Sequence, residues 1–139
     1  MYNPSTFAKH LDELKKYLGY LKELKKYSKR DVLDKWYVYG LVERYLQLAI
    51  ECALSLGEQI ISSYGFRLPS DYKDIIYVLS ENKVIPKKFA EKIVGMTGFR
   101  NILVHGYTQI DRNLVYKHLH KDLGKLSQYA KYLAGFVKV

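Results

Sequence analysis

Between Asp31 and Ile61, apolar side chains occupy so many helical positions that no single stripe can hold them. Leu33, Trp36, Tyr37, Gly40, Leu41, Val42, Tyr45, Leu48, Ala49, Cys52, Leu56, Ile60 and Ile61 fall on several faces of one long helix. Such a helix has to be covered by more than one neighbour, and a second subunit is one candidate. Asp31 suits its N-cap, because the carboxylate can accept a hydrogen bond from the unpaired N–H groups of the first turn.

The remaining segments repeat the helical period. Phe7, Leu11, Leu14, Leu18 and Leu21 recur at threes and fours and predict a first helix from about Ser5 to Tyr27. The lysines around that stripe, among them Lys9, Lys15, Lys16 and Lys22, read as its solvated face. Gly65-Phe66-Arg67-Leu68-Pro69 is a connector, and Ser70 can cap a short helix over Tyr72 to Glu81. Pro86 suits the first position of a fourth helix carrying Phe89, Ile93, Met96 and Leu103. Gly95 and Gly98 weaken that helix but would let a neighbour approach closely. After a link at Thr108 to Ile110, Asp111 can cap a last helix bearing Leu114, Val115, Leu119, Leu123, Leu126, Tyr129, Tyr132 and Leu133. No pair of strand patterns and no linker appear, so the expectation is an all-α, single-domain bundle of about five helices over residues 1–139.

A chain of 139 residues is long enough to bury one core. With 48% hydrophobic and 27% charged residues it is globular rather than disordered. Its net charge of +9 is large for the size and points to a polyanionic partner, nucleic acid ahead of membrane. A basic surface that only solubilises the protein explains the charge equally well. Cys52 is the single cysteine, which excludes an internal disulfide and a cysteine-based zinc site. Leu48, Ala49 and Leu56 flank it at helical spacing, so it reads as a buried, inert thiol. The N-terminal Met1-Tyr2-Asn3-Pro4 lacks the basic and apolar regions of a signal peptide, and no apolar run is long enough to span a bilayer. The expected location is cytoplasmic, with no membrane partner.

Phe99-Arg100-Asn101-Ile102-Leu103-Val104-His105-Gly106-Tyr107 concentrates a permanent cation, an amide, an imidazole and a phenol where a helix should end. Arg100 can hold a phosphate through parallel hydrogen bonds, and His105 can exchange a proton near neutral pH. Together they suggest chemistry on a phosphodiester. On an unbroken helix Arg100 and His105 would point about 140° apart, whereas Asn101 and His105 share a face. Gly106 suits the position just past the helix end. The helix dipole there favours protonated His105, and a nearby Arg100 opposes it.

The Arg-x-x-x-x-His-x-Tyr arrangement at Arg100, His105 and Tyr107 resembles the HEPN superfamily, and within it the HepT-type toxins paired with a minimal nucleotidyltransferase antitoxin. The resemblance covers most of the chain. It includes Leu41 to Glu51, the run from Tyr72 through Pro86, Met96, Gly98 and Phe99 to Tyr107, and Val115-Tyr116. One departure is Ser55, where many relatives carry an acidic residue. The resemblance implies a homodimer whose two motifs face a shared cleft. It also implies the toxin of a type VII-like toxin–antitoxin system, a metal-independent endoribonuclease cutting tRNA or mRNA or an inactive relative of one. In such pairs the nucleotidyltransferase can attach AMP to the motif tyrosine, here Tyr107, and silence the toxin.

The residue types fit metal-free RNA cleavage, with no cofactor and no metal expected. His105 is the candidate general base for the attacking 2′-hydroxyl. Arg100 would stabilise charge on the phosphoryl oxygens, and Asn101 would orient His105 or bind a phosphate oxygen. The motif has no carboxylate, and the nearest along the chain are Glu91 and Asp111, which disfavours a two-metal mechanism. Structural alternatives stand beside these roles: a salt bridge for Arg100, a helix-end cap for His105, a structural hydrogen bond for Asn101 and packing for Tyr107. His10, His118 and His120 read as helix-surface residues, and Glu43, Arg44 and Glu51 as possible ion-pair supports of the cleft. A non-catalytic module that binds RNA or a nucleotide, or scaffolds the transferase, has the same sequence signature.

Overall fold

The computed structural model describes residues 4–105 and 111–138, except for the side chains of Pro4, Val104 and His105. Seven α-helices follow one another among the described residues: α1 Pro4–Leu24, α2 Lys29–Asp34, α3 Trp36–Ser63, α4 Tyr72–Glu81, α5 Lys87–Ile93, α6 Gly95–His105 and α7 Arg112–Val137. The all-α class is as expected from the period. The number differs because two of the expected helices are each divided in two.

The first division lies at Lys35, whose backbone is extended (φ −87°, ψ 106°). Ser28, not Asp31, starts the segment: its hydroxyl accepts the Asp31 N–H at 3.1 Å. Asp31 instead faces Lys35, with Nζ 3.5 Å from its carboxylate. The second division lies at Val94, where the Thr97 hydroxyl donates to the Val94 carbonyl at 2.8 Å. Among the described residues nothing lies within 4 Å of where a Cβ would stand at Gly95 or Gly98, so neither glycine serves a close approach between them. That approach occurs at Gly57, where an added Cβ would lie 2.6 Å from the Tyr129 hydroxyl.

Caps differ in detail. Asp71, rather than Ser70, caps α4 by accepting the Asp74 N–H at 2.7 Å, while the Ser70 N–H donates to the Asp74 carboxylate at 2.9 Å. Pro86 is the N-cap of α5 and not its first residue. Asp111 caps α7 as expected, accepting the Asn113 N–H at 2.9 Å. α1 stops at Leu24, three residues before Tyr27.

α3 is the central element. It packs against α1, α2, α4, α6 and α7, which answers its many-sided apolar pattern. Val42, Leu46, Ile50, Leu54, Leu56 and Ile60 are all buried along it, each large side chain contributing about 1.5–3 kcal/mol of burial. Its N-terminal end instead leaves Trp36, Tyr37 and Leu41 exposed, Trp36 at 76%. α1 lays Phe7, Leu11, Leu14 and Leu21 on the core. Arg67 ties the connector to α4, with Nη1 and Nη2 donating to the Asp74 carboxylate at 2.7 and 2.8 Å and Nε to Glu81 at 3.0 Å. Cys52 is half-buried rather than buried, its Sγ donating to the His10 carbonyl at 3.2 Å. No helix among the described residues is long and apolar enough to cross a membrane.

Candidate active site

α6 carries the first half of the motif, and its own period fixes how it sits. Met96, Phe99 and Leu103 are buried at threes and fours and turn one side of α6 inward. Phe99 lies against the imidazole of His118 on α7, ring centres 3.8 Å apart. His118 Nδ1 is 2.7 Å from a carboxylate oxygen of Asp122, and Asp122 is buried. His118 is thus an anchor under α6 and not the surface residue its sequence position suggests. His10 is likewise half-buried, with Nδ1 2.7 Å from the Gln59 amide nitrogen.

One residue past Phe99, the helix turns Arg100 about 100° away, toward α3 and α4. Its guanidinium lies over the ring of Tyr72 at 4.4 Å. Nη2 is 3.4 Å from Glu51 Oε1 on α3, and Nη1 donates to Asn101 Oδ1 at 3.3 Å. Gln47, one turn before Glu51, donates to the same Glu51 oxygen at 3.3 Å. The Arg100 side chain is 14% exposed. Its Nε is buried and finds no hydrogen-bond partner among the described residues. Three helices therefore hold one cation in place and leave it donor capacity. An aromatic face and a single carboxylate fix a guanidinium plane without using all five of its N–H groups.

The structure brings together Arg100, Asn101 and Glu51, the last a carboxylate that only the fold places beside the motif. In space it is nearer to the cation than the sequence neighbours Glu91 and Asp111 suggest. Glu43 does not join it. Glu43 hydrogen-bonds Tyr39, whose phenol is pushed above its ordinary range by burial and by that carboxylate. The ring of Tyr39 in turn carries the guanidinium of Arg112 at 4.3 Å. Arg44 is exposed. α6 runs on to His105, which puts the Cα of residue 105 on the same face as that of residue 101. The imidazole of His105, and Gly106 to Ile110 with Tyr107 among them, lie outside the described residues. Tyr72 and Gln47 were not singled out in the sequence. Only the Gln47–Glu51 spacing of four gave a local signal.

These features define a small protein, all-helical among its described residues, that presents a fixed guanidinium with an Nε unpaired among those residues at the head of an Arg-x4-His-x-Tyr segment. The chain belongs to the Ribonuclease HepT-like family, whose model matches residues 8–133. It is similar to the tRNA nuclease HepT of Aphanizomenon flos-aquae, with 25% identity over 134 residues, which are 96% of this chain and 91% of that one. Its fold is similar to that of YutE from Bacillus subtilis, described as a cytosolic protein of unknown function. The TM-score is 0.87 at 22% identity, over 99% of this chain and 94% of that one. It is also similar to that of a tri-AMPylated Shewanella oneidensis HEPN toxin in complex with MNT antitoxin. There the TM-score is 0.83 at 17% identity, over 93% and 96% of the two chains.

Proposed function

We propose that this protein is the ribonuclease toxin of a toxin–antitoxin pair, an endoribonuclease that needs no metal and is restrained by a nucleotidyltransferase partner. The observation that carries the reading is the Arg100 guanidinium, held over Tyr72 and against Glu51, with Nε unpaired among the described residues. It stands in a chain whose relative of nearly full length is a tRNA nuclease.

In this reading the substrate phosphate docks on Arg100. His105 takes the proton of the 2′-hydroxyl as it attacks phosphorus, the bond to the 5′-oxygen breaks, that oxygen takes a proton from water and departs as a 5′-hydroxyl, and a 2′,3′-cyclic phosphate is left. The negative charge that grows on the phosphoryl oxygens meets a cation already oriented, so little reorganisation opposes the step. Asn101, bonded to Arg100, helps to fix that orientation. Glu51 is a positioning residue, because it touches Arg100 and not the phosphate. The residues act as one domain, and two copies pair so that their motifs share a cleft. The protein works in the cytoplasm, where its RNA substrate is.

Regulation follows from the same charge. AMP attached to Tyr107 by the transferase would bring a phosphate next to Arg100 and fill the cleft; a HEPN toxin of similar fold is tri-AMPylated in its complex with MNT antitoxin. Two measurements test the reading. Purified protein should cut RNA in the presence of a chelator and leave cyclic-phosphate ends, and Arg100→Ala and His105→Ala should not. Mass spectrometry after incubation with the transferase and ATP should find AMP on Tyr107. Equal cutting by all three proteins, or AMP only on other residues, would overturn the corresponding part.

A further inference from the structure

We propose that the groove between α2 and the first turns of α7 is a second RNA-contacting site, one that holds a nucleotide of the substrate strand away from the scissile bond. The proposal rests on the ribonuclease reading only for the identity of the strand as substrate. The groove itself stands on its own geometry.

Asn113, Tyr116, Lys117, His120 and Lys121 line it from α7, and Lys29 from α2, around a volume of about 410 Å3. The α7 residues fall at i, i+3, i+4, i+7 and i+8, the spacing that elsewhere in this chain marks a face turned to the core. Here the same spacing gathers two exposed lysines, an exposed amide and an exposed imidazole around the phenol of Tyr116, which is half-buried against the core. Lys29, Lys117 and Lys121 are exposed, and among the described residues no carboxylate lines the groove. Tyr116 is held edge-on by His120, ring centres 4.5 Å apart at 73°, and Lys29 Nζ lies 5.9 Å from the Tyr116 ring centre. Burial, and then the charge of Lys25, lowers the pKa of His120.

An aromatic ring set among cations is the arrangement that holds single-stranded nucleic acid, the base on the ring and the phosphate on the lysines. The volume lies within the range of about 300–1,000 Å3 usual for small-ligand sites. The charge does not stop at the groove. Lys121 also lines the adjoining cavity, together with Lys92 and Lys125. The one acid there, Asp122, is already paired with His118. Lys117, Lys121 and Lys125 thus form a row along α7 with a step of about 6 Å every four residues, a track for a phosphate backbone. An acidic protein surface would meet the same lysines; what favours a nucleotide is a ring that can take a base set among cations that can take its phosphate.

The test is binding of a fluorescein-labelled 12-nucleotide single-stranded RNA to the full chain, followed by anisotropy over a range of salt. Tyr116→Ala should weaken binding about 5- to 150-fold, and Tyr116→Phe should restore it, because the phenyl face still stacks. Lys117→Ala with Lys121→Ala should flatten the logarithmic salt slope by about 1.4. The same change in net charge made on α1, Lys15→Ala with Lys22→Ala, should do much less. Unchanged affinity in the folded groove variants would overturn the proposal. So would equal losses from both lysine pairs, or loss of transferase binding with RNA affinity intact, which would make the groove a protein-docking surface. Should wild type bind the 12-mer and cut nothing, the ribonuclease reading fails while the groove variants still decide this one.

Discussion

Replacing Arg100 by lysine keeps the charge and removes the geometry, so it separates two accounts of the site. In the wild type the guanidinium meets Glu51 through Nη2, Asn101 through Nη1 and Tyr72 through its face, with Nε left over among the described residues. An ammonium is one point with three rotatable donors. Placed between Glu51 and a phosphate, it cannot keep the carboxylate, the aromatic face and two phosphoryl oxygens together. The loss is at least one charge-assisted hydrogen bond that forms fully only in the transition state, about 1.5–3 kcal/mol. That corresponds to a fall in kcat/KM of about 10- to 150-fold. Stability should change by less than about 1 kcal/mol, because the pair with Glu51 is partly open to solvent. The assay is initial rates of oligoribonucleotide cleavage for wild type, Arg100→Lys and Arg100→Ala, with thermal melts of the same samples. Rates for the lysine variant within about threefold of wild type would show that a point charge is enough, and the argument from the fork would be wrong.

Three further outcomes follow from the fold. Gly57→Ala should destabilise by about 1–3 kcal/mol in urea unfolding, against a helix-propensity gain of about 1 kcal/mol. The new Cβ would stand 2.6 Å from the Tyr129 hydroxyl and 3.0 Å from Leu79. Because that hydroxyl is buried without a partner among the described residues, Tyr129→Phe should be neutral or stabilising and should reduce the cost of Gly57→Ala; additive effects would refute the contact. Asp74 is held well below the usual carboxylate range, first by the Arg67 hydrogen bonds and then by the Ser70 N–H. A depressed folded-state pKa contributes stability that is complete above about pH 4 and is lost as pH falls further. Acid unfolding of Asp74→Asn should therefore have a shallower slope below pH 4, and an unchanged slope would count against the clamp. Burial pushes the Cys52 thiol up to about 11, so iodoacetamide at pH 8 should label it slowly in the native protein and quickly in denaturant.

The helical class, the cap at Asp111 and the central role of the third helix were legible because each depends on residues a few positions apart. The breaks at Lys35 and Val94 were not equally so. Leu33 and Trp36 keep the apolar spacing going across Lys35, and no glycine or proline marks the break. At Val94 the flanking Gly95 was visible, but what ends α5 there is a hydroxyl three residues on turning back to the Val94 carbonyl. Gly57 is the sharpest case. It sits in the middle of a long helix, where glycine is unfavourable, and its reason is a tyrosine 72 positions later in the chain. Gly95 and Gly98, in a weaker helical context, looked like the close-approach residues and are not.

The site divides along the same line. Arg100 and Asn101 were found from adjacency, yet the Tyr72 ring beneath the cation comes from another helix, and so does Glu51 beside it. Glu51 was among the possible ion-pair supports named from sequence, and it does pair with Arg100; nothing in the neighbourhood of Tyr72 announces its contact. His118 shows the converse. Its spacing of four from Asp122 was there to be read, but the pair matters only because Phe99 of α6 rests on the imidazole. A buried carboxylate bonded to that ring resists its displacement, so the helix that carries Arg100 is braced from below by α7 while α3 and α4 grip the guanidinium from the side. The precision of the cation is therefore a property of four helices and not of the motif. A chain could keep Arg100, Asn101, His105 and Tyr107 and still lose the orientation of its guanidinium through a change at Phe99, Tyr72 or Asp122.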